Sequence, residues 1–264
     1  MADDHCLWLY AVAGDAAVPF PAGVTGVGGA APRPLRAAGL VAVVAEVDES
    51  EFGADALHRN LEDLDWLEQA ARAHHGVIAA VAGTRPVVPA RLATVYTCAA
   101  AVEAMLRERA ADFREALARI AERSEWGVKA FVATPASPDG PSGAAAEGPG
   151  RGAPGTAYLQ RRREQLTAGQ DARRKAMVSA QTVDAELARL SLSARRYPPQ
   201  APDLAGRSTA MALNAAYLVA DERADKFVAA VAELAARHPA VRLTLTGPWP
   251  AYSFAAPDSE AEDP

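Results

Sequence analysis

Short apolar runs and longer stretches of helical periodicity alternate along this chain of 264 residues. Short continuous or alternating apolar runs predict strands. These runs cover residues 6–13, 40–47, 77–82, 92–97, 126–133, 210–220 and 241–246. Apolar positions three and four residues apart predict helices, and they occur over residues 57–75, 99–123, 157–196 and 225–237. Gly76 follows the first of these helices, as a helix stop signal does.

The order of these elements predicts an α+β protein with two small domains. Strands that follow one another directly exclude a purely parallel sheet, and a sheet with helices on one face fits each half. The boundary falls near Ser124, so that residues 1–124 form an N-terminal α+β domain and residues 125–264 a C-terminal one. The C-terminal order resembles a ferredoxin-like unit, modified by the lack of one strand.

A segment rich in glycine and proline interrupts the second domain. Residues 134–156 contain six glycines and five prolines, with almost no large apolar side chain. Such a composition cannot bury a core, so we predict a flexible loop. Residues 157–196 follow as a long basic helix, or as a helical pair broken near Gly169.

Residues 247–264 form an extended C-terminal tail that begins with a concentration of aromatic side chains. Two prolines flank Trp249, and Tyr252 and Phe254 follow closely. Proline fixes φ and lacks an N–H donor, so the chain cannot continue here as an internal strand. Two roles stay open for the three aromatic residues. They pack within the protein, against the second domain or between the domains, or they contact a partner.

Positive charge is concentrated in one part of a chain that is acidic as a whole. Residues 151–196 contain ten basic and four acidic residues, whereas the whole chain has a net charge of −6. This segment is either a solvated helix that balances acidic neighbours or a docking face for an acidic partner. The candidate partner-binding arginines are Arg161, Arg162, Arg163, Arg173 and Arg174.

The bulk composition argues against several classes of protein. A net charge of −6 and an isoelectric point near 5.5 argue against nucleic-acid binding. No stretch approaches the roughly 18 apolar residues that a spanning helix needs, so no membrane association is predicted. The two cysteines, Cys6 and Cys98, fit a reduced cytoplasmic protein better than a disulfide scaffold.

No group of residues has the pattern of a catalytic, cofactor-binding or metal site. His74 and His75 lie at a predicted helix end, where a cation interacts favourably with the helix dipole. The glycines of residues 23–29 precede prolines and a strand rather than a helix, so they do not predict a phosphate cradle. Cys6 and Cys98 flank predicted strands as small core side chains. The sequence therefore predicts a protein that is not an enzyme and has no cofactor.

Five short motifs occur in an order that is typical of one protein family. They are VVPARLATVY at residues 87–96, EWGVKAF at 125–131, AYLQRRR at 157–163, LNAAYLVADERADKF at 213–227 and GPWPAYSF at 247–254. Together they resemble the gas vesicle protein GvpF/GvpL family. Ala251 stands where the family often has a second proline, and Leu92 and Ala93 stand where Phe-Gly is common.

The resemblance implies two α+β domains, the second ferredoxin-like, and a non-enzymatic accessory role in assembling gas vesicles, the gas-filled protein shells that give cells buoyancy. It also implies binding to the hydrophobic shell protein GvpA and to other accessory proteins, and a location at the gas vesicle in the cytoplasm. Two alternatives stay open. One is a minor structural component retained in the mature shell. The other is a small-ligand-binding enzyme or sensor, since ferredoxin-like domains host many functions.

Overall fold

A computed structural model describes residues 5–15, 23–84, 86–133, 154–199 and 210–255 of the chain. Contacts between Cα atoms divide the protein into two compact units. The first unit comprises Met1–Glu125 together with Gly247–Pro264, and the second comprises Trp126–Thr246. The boundary between Glu125 and Trp126 lies one residue from the boundary predicted near Ser124. The C-terminal tail, which was predicted to belong to the second domain, groups with the first unit. Most of the predicted loop, residues 134–153, lies outside the described residues.

The described residues form nine strands and eight α-helices. The strands are β1 His5–Gly14, β2 Arg33–Ala37, β3 Leu40–Asp48, β4 Val87–Pro89, β5 Val95–Tyr96, β6 Arg123–Val132, β7 Ser193–Arg196, β8 Met211–Ala220 and β9 Val241–Trp249. The helices are α1 Glu49–Phe52, α2 Ala54–Asn60, α3 Leu64–Ala82, α4 Ala99–Glu108, α5 Ala110–Ile120, α6 Pro154–Leu190, α7 Ala224–Arg237 and α8 Tyr252–Ala255. The elements build an α+β fold with two antiparallel sheets, which confirms the predicted class.

The first unit contains a five-stranded sheet in the order β2-β3-β1-β4, with β5 also paired to β1. The central strand β1 is buried along almost its whole length, because both of its edges are paired and both of its faces are covered. Its large side chains Trp8 and Tyr10 pack with Val27, Phe52 and Ile78 in the unit's core. The almost uninterrupted apolar sequence of β1 thus corresponds to an internal strand of this sheet.

The region after residue 57 differs from the sequence prediction of a helix, a stop at Gly76 and a strand over residues 77–82. Helix α3 runs through Gly76 without a break and ends only at Ala82. The apolar run after Gly76 keeps the spacing of a helix face, since Val77, Ile78 and Val81 are buried. The side-chain oxygen of Asp63 accepts hydrogen bonds from the first backbone N–H groups of this helix and so fixes its start. The predicted strand was wrong because a short apolar run fits either periodicity.

The helix predicted over residues 99–123 is also interrupted. Arg109 has non-helical backbone angles, and it separates α4 from α5. Residues from Arg123 onward already belong to strand β6. The two helices bury the apolar positions Val102, Leu106, Phe113 and Ile120, whereas Met105 and Leu117 are only half-buried.

The second unit contains a four-stranded sheet in the order β7-β8-β6-β9. Its element order is β–α–β–β–α–β, which is the order of ferredoxin-like units. The prediction that one strand is lacking was wrong, because β7 pairs antiparallel with β8. The basic helix predicted to reach residue 196 ends at Leu190 instead. Ser191 marks its end by donating its hydroxyl hydrogen bond to the carbonyl of Ala188, a local bond that competes with helix continuation.

The inner half of α6, from Ala176 to Leu190, contributes side chains to the core of the second unit. Ala176, Ala180, Val183, Leu187 and Leu190 have the three- and four-residue spacing that predicts one apolar stripe along this helix. The first four residues of the stripe are buried in the core of the second unit, whereas Leu190 is exposed. The helix passes through Gly169 without the break that one interpretation expected.

One carboxylate is buried with this stripe. Asp184 accepts a hydrogen bond of 2.6 Å from the Tyr217 hydroxyl and pairs with Arg196 of β7. Burial, followed by this bond to Asp184, raises the pKa of Tyr217. The buried charge is therefore paired and hydrogen-bonded, as buried charges must be.

Candidate functional site

The aromatic residues of the tail lie in its described part, residues 247–255, which belongs to the first unit. Strand β9 lies at the edge of its sheet, so Pro248 removes no hydrogen bond that an internal strand would need. After Trp249 the chain forms the short helix α8, in which Phe254 and Ala255 are buried. The preceding Ala251 is buried as well. A proline at this position would have to fit the same enclosed space.

A buried carboxylate fixes the tail. Glu125 is 8% exposed, and its two carboxylate oxygens accept hydrogen bonds from Ser253. The Ser253 backbone N–H donates over 2.7 Å and its hydroxyl over 2.6 Å. The guanidinium of Arg119 donates to the Phe254 carbonyl at 3.1 Å. Two groups from the N-terminal part of the chain therefore satisfy the backbone of α8, which is too short to do so itself.

His75 on α3 contacts the other two aromatic residues of the tail. Its Nδ1 lies 3.0 Å from the Tyr252 hydroxyl, and the two rings stack with centroids 6.0 Å apart. The Trp249 ring meets His75 edge-on at 5.2 Å. Burial, with a smaller contribution from Glu125, raises the pKa of Tyr252 to about 12, so its hydroxyl stays protonated. Trp249 still leaves 41% of its surface exposed.

The neighbouring His74 faces the core. Its Nδ1 accepts a hydrogen bond of 2.9 Å from the Trp8 indole, and its Nε2 lies 3.1 Å from the Ala90 carbonyl. These partners require a neutral ring that donates from Nε2 and accepts at Nδ1. Burial lowers the pKa of His74, in agreement with this neutral form. Both ring nitrogens are occupied, so His74 has a structural role.

A cavity of about 420 Å³ lies in the first unit beside the tail. Two of the motifs found in the sequence line it: residues 87–96 contribute Val88, Arg91 and Tyr96, and the tail contributes Tyr252. The described residues that line it are Leu9, Val12, Val88, Pro89, Ala90, Arg91, Thr94, Tyr96, Met105, Arg109, Asp112, Phe113, Ala116, Tyr252 and Ala255. Its volume is in the usual range of small-ligand and side-chain pockets.

The second candidate surface is the outer half of α6, which comprises the residues before Ala176, the first buried position of this helix. Arg163, Arg173 and Arg174 are exposed, and so is every residue from Leu166 to Asp171. Arg174 pairs with Asp171 at 3.2 Å, and more than half of each side chain is exposed. Arg161 and Arg162 belong to α6, but their side chains lie outside the described residues. Large apolar side chains are exposed on the same helix at Leu166, Met177 and Val178.

The described residues contain no group of three or more His, Cys, Asp or Glu side chains that could hold a metal ion. None of the helices in the described part of the chain combines the length and apolar character needed to cross a membrane. Cys6 is buried, as predicted, whereas Cys98 is exposed, so the prediction of a core side chain was wrong for Cys98; both are free thiols.

Three residues that hold the tail were not singled out from the sequence: His75 as a contact, Glu125 and Arg119. A signal existed for one of them, since Glu125 opens the motif EWGVKAF. The motif predicts a strand, and its first residue is the buried acceptor for Ser253. No sequence pattern links Arg119 to a carbonyl 135 positions away.

Comparisons with known proteins agree over almost the whole chain. Residues 6–256 match the family described as "Gas vesicle synthesis protein GvpL/GvpF". Gas vesicle protein L from Streptomyces sp. (strain CB03234) is 38% identical over 255 residues, which cover 97% of this chain and 94% of that protein.

Solved structures show a similar fold. The crystal structure of GvpF from Anabaena sp. PCC7120 superposes with a TM-score of 0.67 at 20% identity, covering 96% of this chain and 97% of that one. The crystal structure of GvpF from Microcystis aeruginosa gives a TM-score of 0.64 at 18% identity, covering 95% and 99%.

Proposed function

Because the chain belongs to the GvpL/GvpF family of gas vesicle synthesis proteins, we propose that it is a non-enzymatic accessory protein of gas vesicle assembly. In this role it binds the hydrophobic shell protein GvpA and other accessory proteins, and it is located at the gas vesicle. The observation that carries the proposal is the family match over residues 6–256, which spans both units.

Physical chemistry supports a binding role. A protein that builds a gas-facing wall is strongly apolar, and it needs a soluble cover for its apolar face or strand edges before assembly. The chain offers exposed apolar side chains at Leu166, Met177, Val178 and Trp249, together with the basic side chains of α6. Partner proteins are commonly held by such aromatic and aliphatic anchors with charged groups around them.

The proposal is tested by capturing purified GvpA on the immobilised full-length protein. Trp249→Ala removes the half-exposed aromatic ring and leaves the buried Phe254 in place, so it is a milder change than deletion of residues 247–264. If Trp249 contacts GvpA, capture falls several-fold, while Leu192→Ala, which also removes an exposed apolar side chain, leaves capture unchanged. Failure of the unmodified protein to capture GvpA would contradict the proposed binding.

A second experiment separates an assembly factor from a retained shell component. Gas vesicles isolated from cells are washed with denaturant, and the protein is quantified in the wash and in the shell. We expect an assembly factor to be released by the wash. Retention at a constant ratio to GvpA would instead support the alternative of a minor structural component.

A further inference from the structure

Another cavity of the first unit is lined by the glycine run of residues 23–29 and by helices α1 and α3. Its volume is about 310 Å³, which is enough for a small ligand or a side chain. We call it the glycine-loop cavity. The described residues that line it are Gly26, Val27, Gly28, Gly29, Glu51, Phe52, Trp66, Gln69, Ala70 and Ala73.

The core holds the glycine wall of this cavity in place. The Val27 backbone N–H donates a hydrogen bond of 2.9 Å to the Tyr10 hydroxyl. Gly26 passes so close to that hydroxyl that a Cβ at this position would lie 2.2 Å from it. Gly28 has a φ of +63°, and a Cβ there would meet the Phe52 ring at 3.0 Å. The glycines therefore let the backbone approach the core, and the wall is formed before any ligand arrives.

Two aromatic rings and one carboxylate give the cavity its chemical character. The rings of Phe52 and Trp66 have centroids 5.8 Å apart and are tilted by 39°. Glu51 is exposed, and its Oε1 accepts a long hydrogen bond of 3.4 Å from the Trp66 indole. Among the described residues, no cation forms an ion pair with Glu51. An indole ring beside an unpaired carboxylate attracts a cation.

The surface around the cavity is acidic. Residues 46–68 contain nine acidic side chains and one arginine. Two of the nine pair with Arg33 and Arg72, and two others accept N–H groups at helix starts. Residues 1–4 and 16–22, which are not described, contain no basic side chain that could compensate the excess. The carboxylates that form no ion pair with described residues are Glu49, Glu51, Asp55, Glu62 and Asp65.

Hydrogen bonds hold the elements that carry these carboxylates together. The Asn60 side-chain amide donates to the Glu51 carbonyl at 3.0 Å and so ties the end of α2 to α1. The contact of Trp66 with Glu51 ties the start of α3 to the same place. A small free cation would contact Glu51 alone, whereas a basic protein surface can also pair with the surrounding carboxylates. The charge distribution therefore favours a protein as the source of the cation.

We propose that the glycine-loop cavity binds an arginine side chain of a partner protein with a basic surface. The guanidinium stacks on the Trp66 ring and pairs with the Glu51 carboxylate. Arginine suits both contacts, because its planar group is more weakly hydrated than an ammonium and can stack and donate hydrogen bonds together. This inference rests on the proposed function as a binding protein. It assigns the first unit a recognition site of opposite charge to the basic face of α6.

Tryptophan indole N–H resonances provide a direct test. The chain has four tryptophans, of which Trp66 lines the glycine-loop cavity. The ¹⁵N-labelled full-length protein is titrated at low salt with the peptide acetyl-Gly-Arg-Gly-amide and with its citrulline counterpart, which has a similar shape and no charge. We expect a saturable shift of the Trp66 resonance, which is assigned by its loss in Trp66→Phe, and no shift of the other three. The citrulline peptide should bind roughly tenfold more weakly, because it loses both the cation–π contact and the charge-assisted hydrogen bonds.

Matched variants localise the effect. Glu51→Gln should reduce the preference for the arginine peptide to about twofold or less, because the charge-assisted hydrogen bonds are lost. Glu62→Gln, at an exposed carboxylate that does not line the cavity, should preserve the preference. Ala73→Leu fills the cavity and should abolish the Trp66 shift, whereas Ala79→Leu, at an exposed position of the same helix, should not. Thermal unfolding confirms that each variant is folded, and the carboxylate pair keeps the test decisive if Ala73→Leu is not.

Three outcomes would overturn the inference: an unmoved Trp66 resonance, equal affinity for the arginine and citrulline peptides, or equal losses from Glu51→Gln and Glu62→Gln. GvpA capture is measured on the same proteins. Normal GvpA capture without a peptide effect at Trp66 would overturn the cavity site and leave the proposed function standing. Selective binding of the arginine peptide without any GvpA capture would support the cavity site and contradict the proposed partner.

Discussion

The aromatic tail and the outer half of α6 were the two candidate binding surfaces in the sequence, and their environments are opposite. In the tail, Phe254 is buried and Ser253 is held by the buried Glu125. In the outer half of α6, Leu166 through Asp171 are all exposed, and the described ion pair of Arg174 is a solvated one. The aromatic motif thus supplies one buried anchor, Phe254, and two partly exposed rings, Trp249 and Tyr252, whereas the described arginines of the basic stretch are solvated.

The largest effect on stability is expected from Phe254→Ala, which tests the contrast between the two regions. Removing a buried phenylalanine side chain costs its transfer free energy and leaves a cavity, so we expect a loss of about 3–5 kcal/mol in the free energy of unfolding. Urea unfolding of the full-length protein measures this loss. The matched variant is Leu166→Ala on α6, where the side chain is 56% exposed, and its expected change is below about 0.5 kcal/mol. Similar losses for the two variants would remove the contrast.

A smaller effect is expected from Glu125→Gln. The carboxylate of Glu125 accepts two hydrogen bonds from Ser253, and an amide in its place offers one acceptor oxygen and no charge. Hydrogen bonds to charged groups contribute about 1.5–3 kcal/mol, so a loss of about 2 kcal/mol is expected. Faster hydrogen exchange of the Ser253 amide would localise the change to the tail. Glu108→Gln, an exposed carboxylate on α4, is the control and should leave both measurements unchanged.

The pH dependence of stability tests the neutral state of His74, the buried neighbour of His75 on α3. Burial lowers the pKa of His74 from its usual value of 6.5, so the unfolded chain binds more protons just below that pH. The free energy of unfolding is therefore undiminished above about pH 6.5 and falls as the pH drops towards the lowered pKa. The slope cannot exceed about 1.4 kcal/mol per pH unit for one group.

Urea unfolding between pH 7.5 and pH 5.5 measures this slope. His74→Gln keeps an N–H donor for the Ala90 carbonyl and an acceptor for the Trp8 indole, but it does not titrate. We expect the variant to lose most of the slope. An unchanged slope would show that His74 is not held neutral.

The fold class was predictable, and so were β1 and β3, because their short apolar runs are enriched in aromatic or β-branched residues: β1 contains Trp8 and Tyr10, and β3 is rich in valine. The region around Gly76 was not, since Val77 and Ile78 satisfy both a strand run and a helix face. Strand β7 was hidden for a different reason. Its residues, Ser193–Arg196, contain one apolar side chain, and the strand exists because its backbone pairs with β8. Pairing of this kind depends on the partner strand and leaves little trace in the segment itself.

The aromatic residues of the candidate site could be predicted from the sequence, but their contacts with distant residues could not. Trp249, Tyr252 and Phe254 stood out by local density, but the contacts of Tyr252 with His75 and of Ser253 with Glu125 join positions far apart in the chain. The cavity is a further consequence of such long-range placement, because its walls come from separate motifs and from α5. Composition and periodicity describe each segment alone, so they identify the side chains and leave their partners undetermined.

The smallest effect on stability is expected at the basic face of α6, from the double variant Arg173→Glu and Arg174→Glu. Both side chains are exposed, and the ion pair of Arg174 with Asp171 is solvated, so the free energy of unfolding should change by less than about 1 kcal/mol. If α6 docks an acidic surface, reversal of two charges should nevertheless weaken GvpA capture at low salt, and the loss should shrink as salt screens the interaction. The double variant Arg72→Glu and Arg223→Glu, two exposed reversals outside α6, controls for net charge. Undiminished capture at low salt would show that Arg173 and Arg174 do not contribute to binding GvpA.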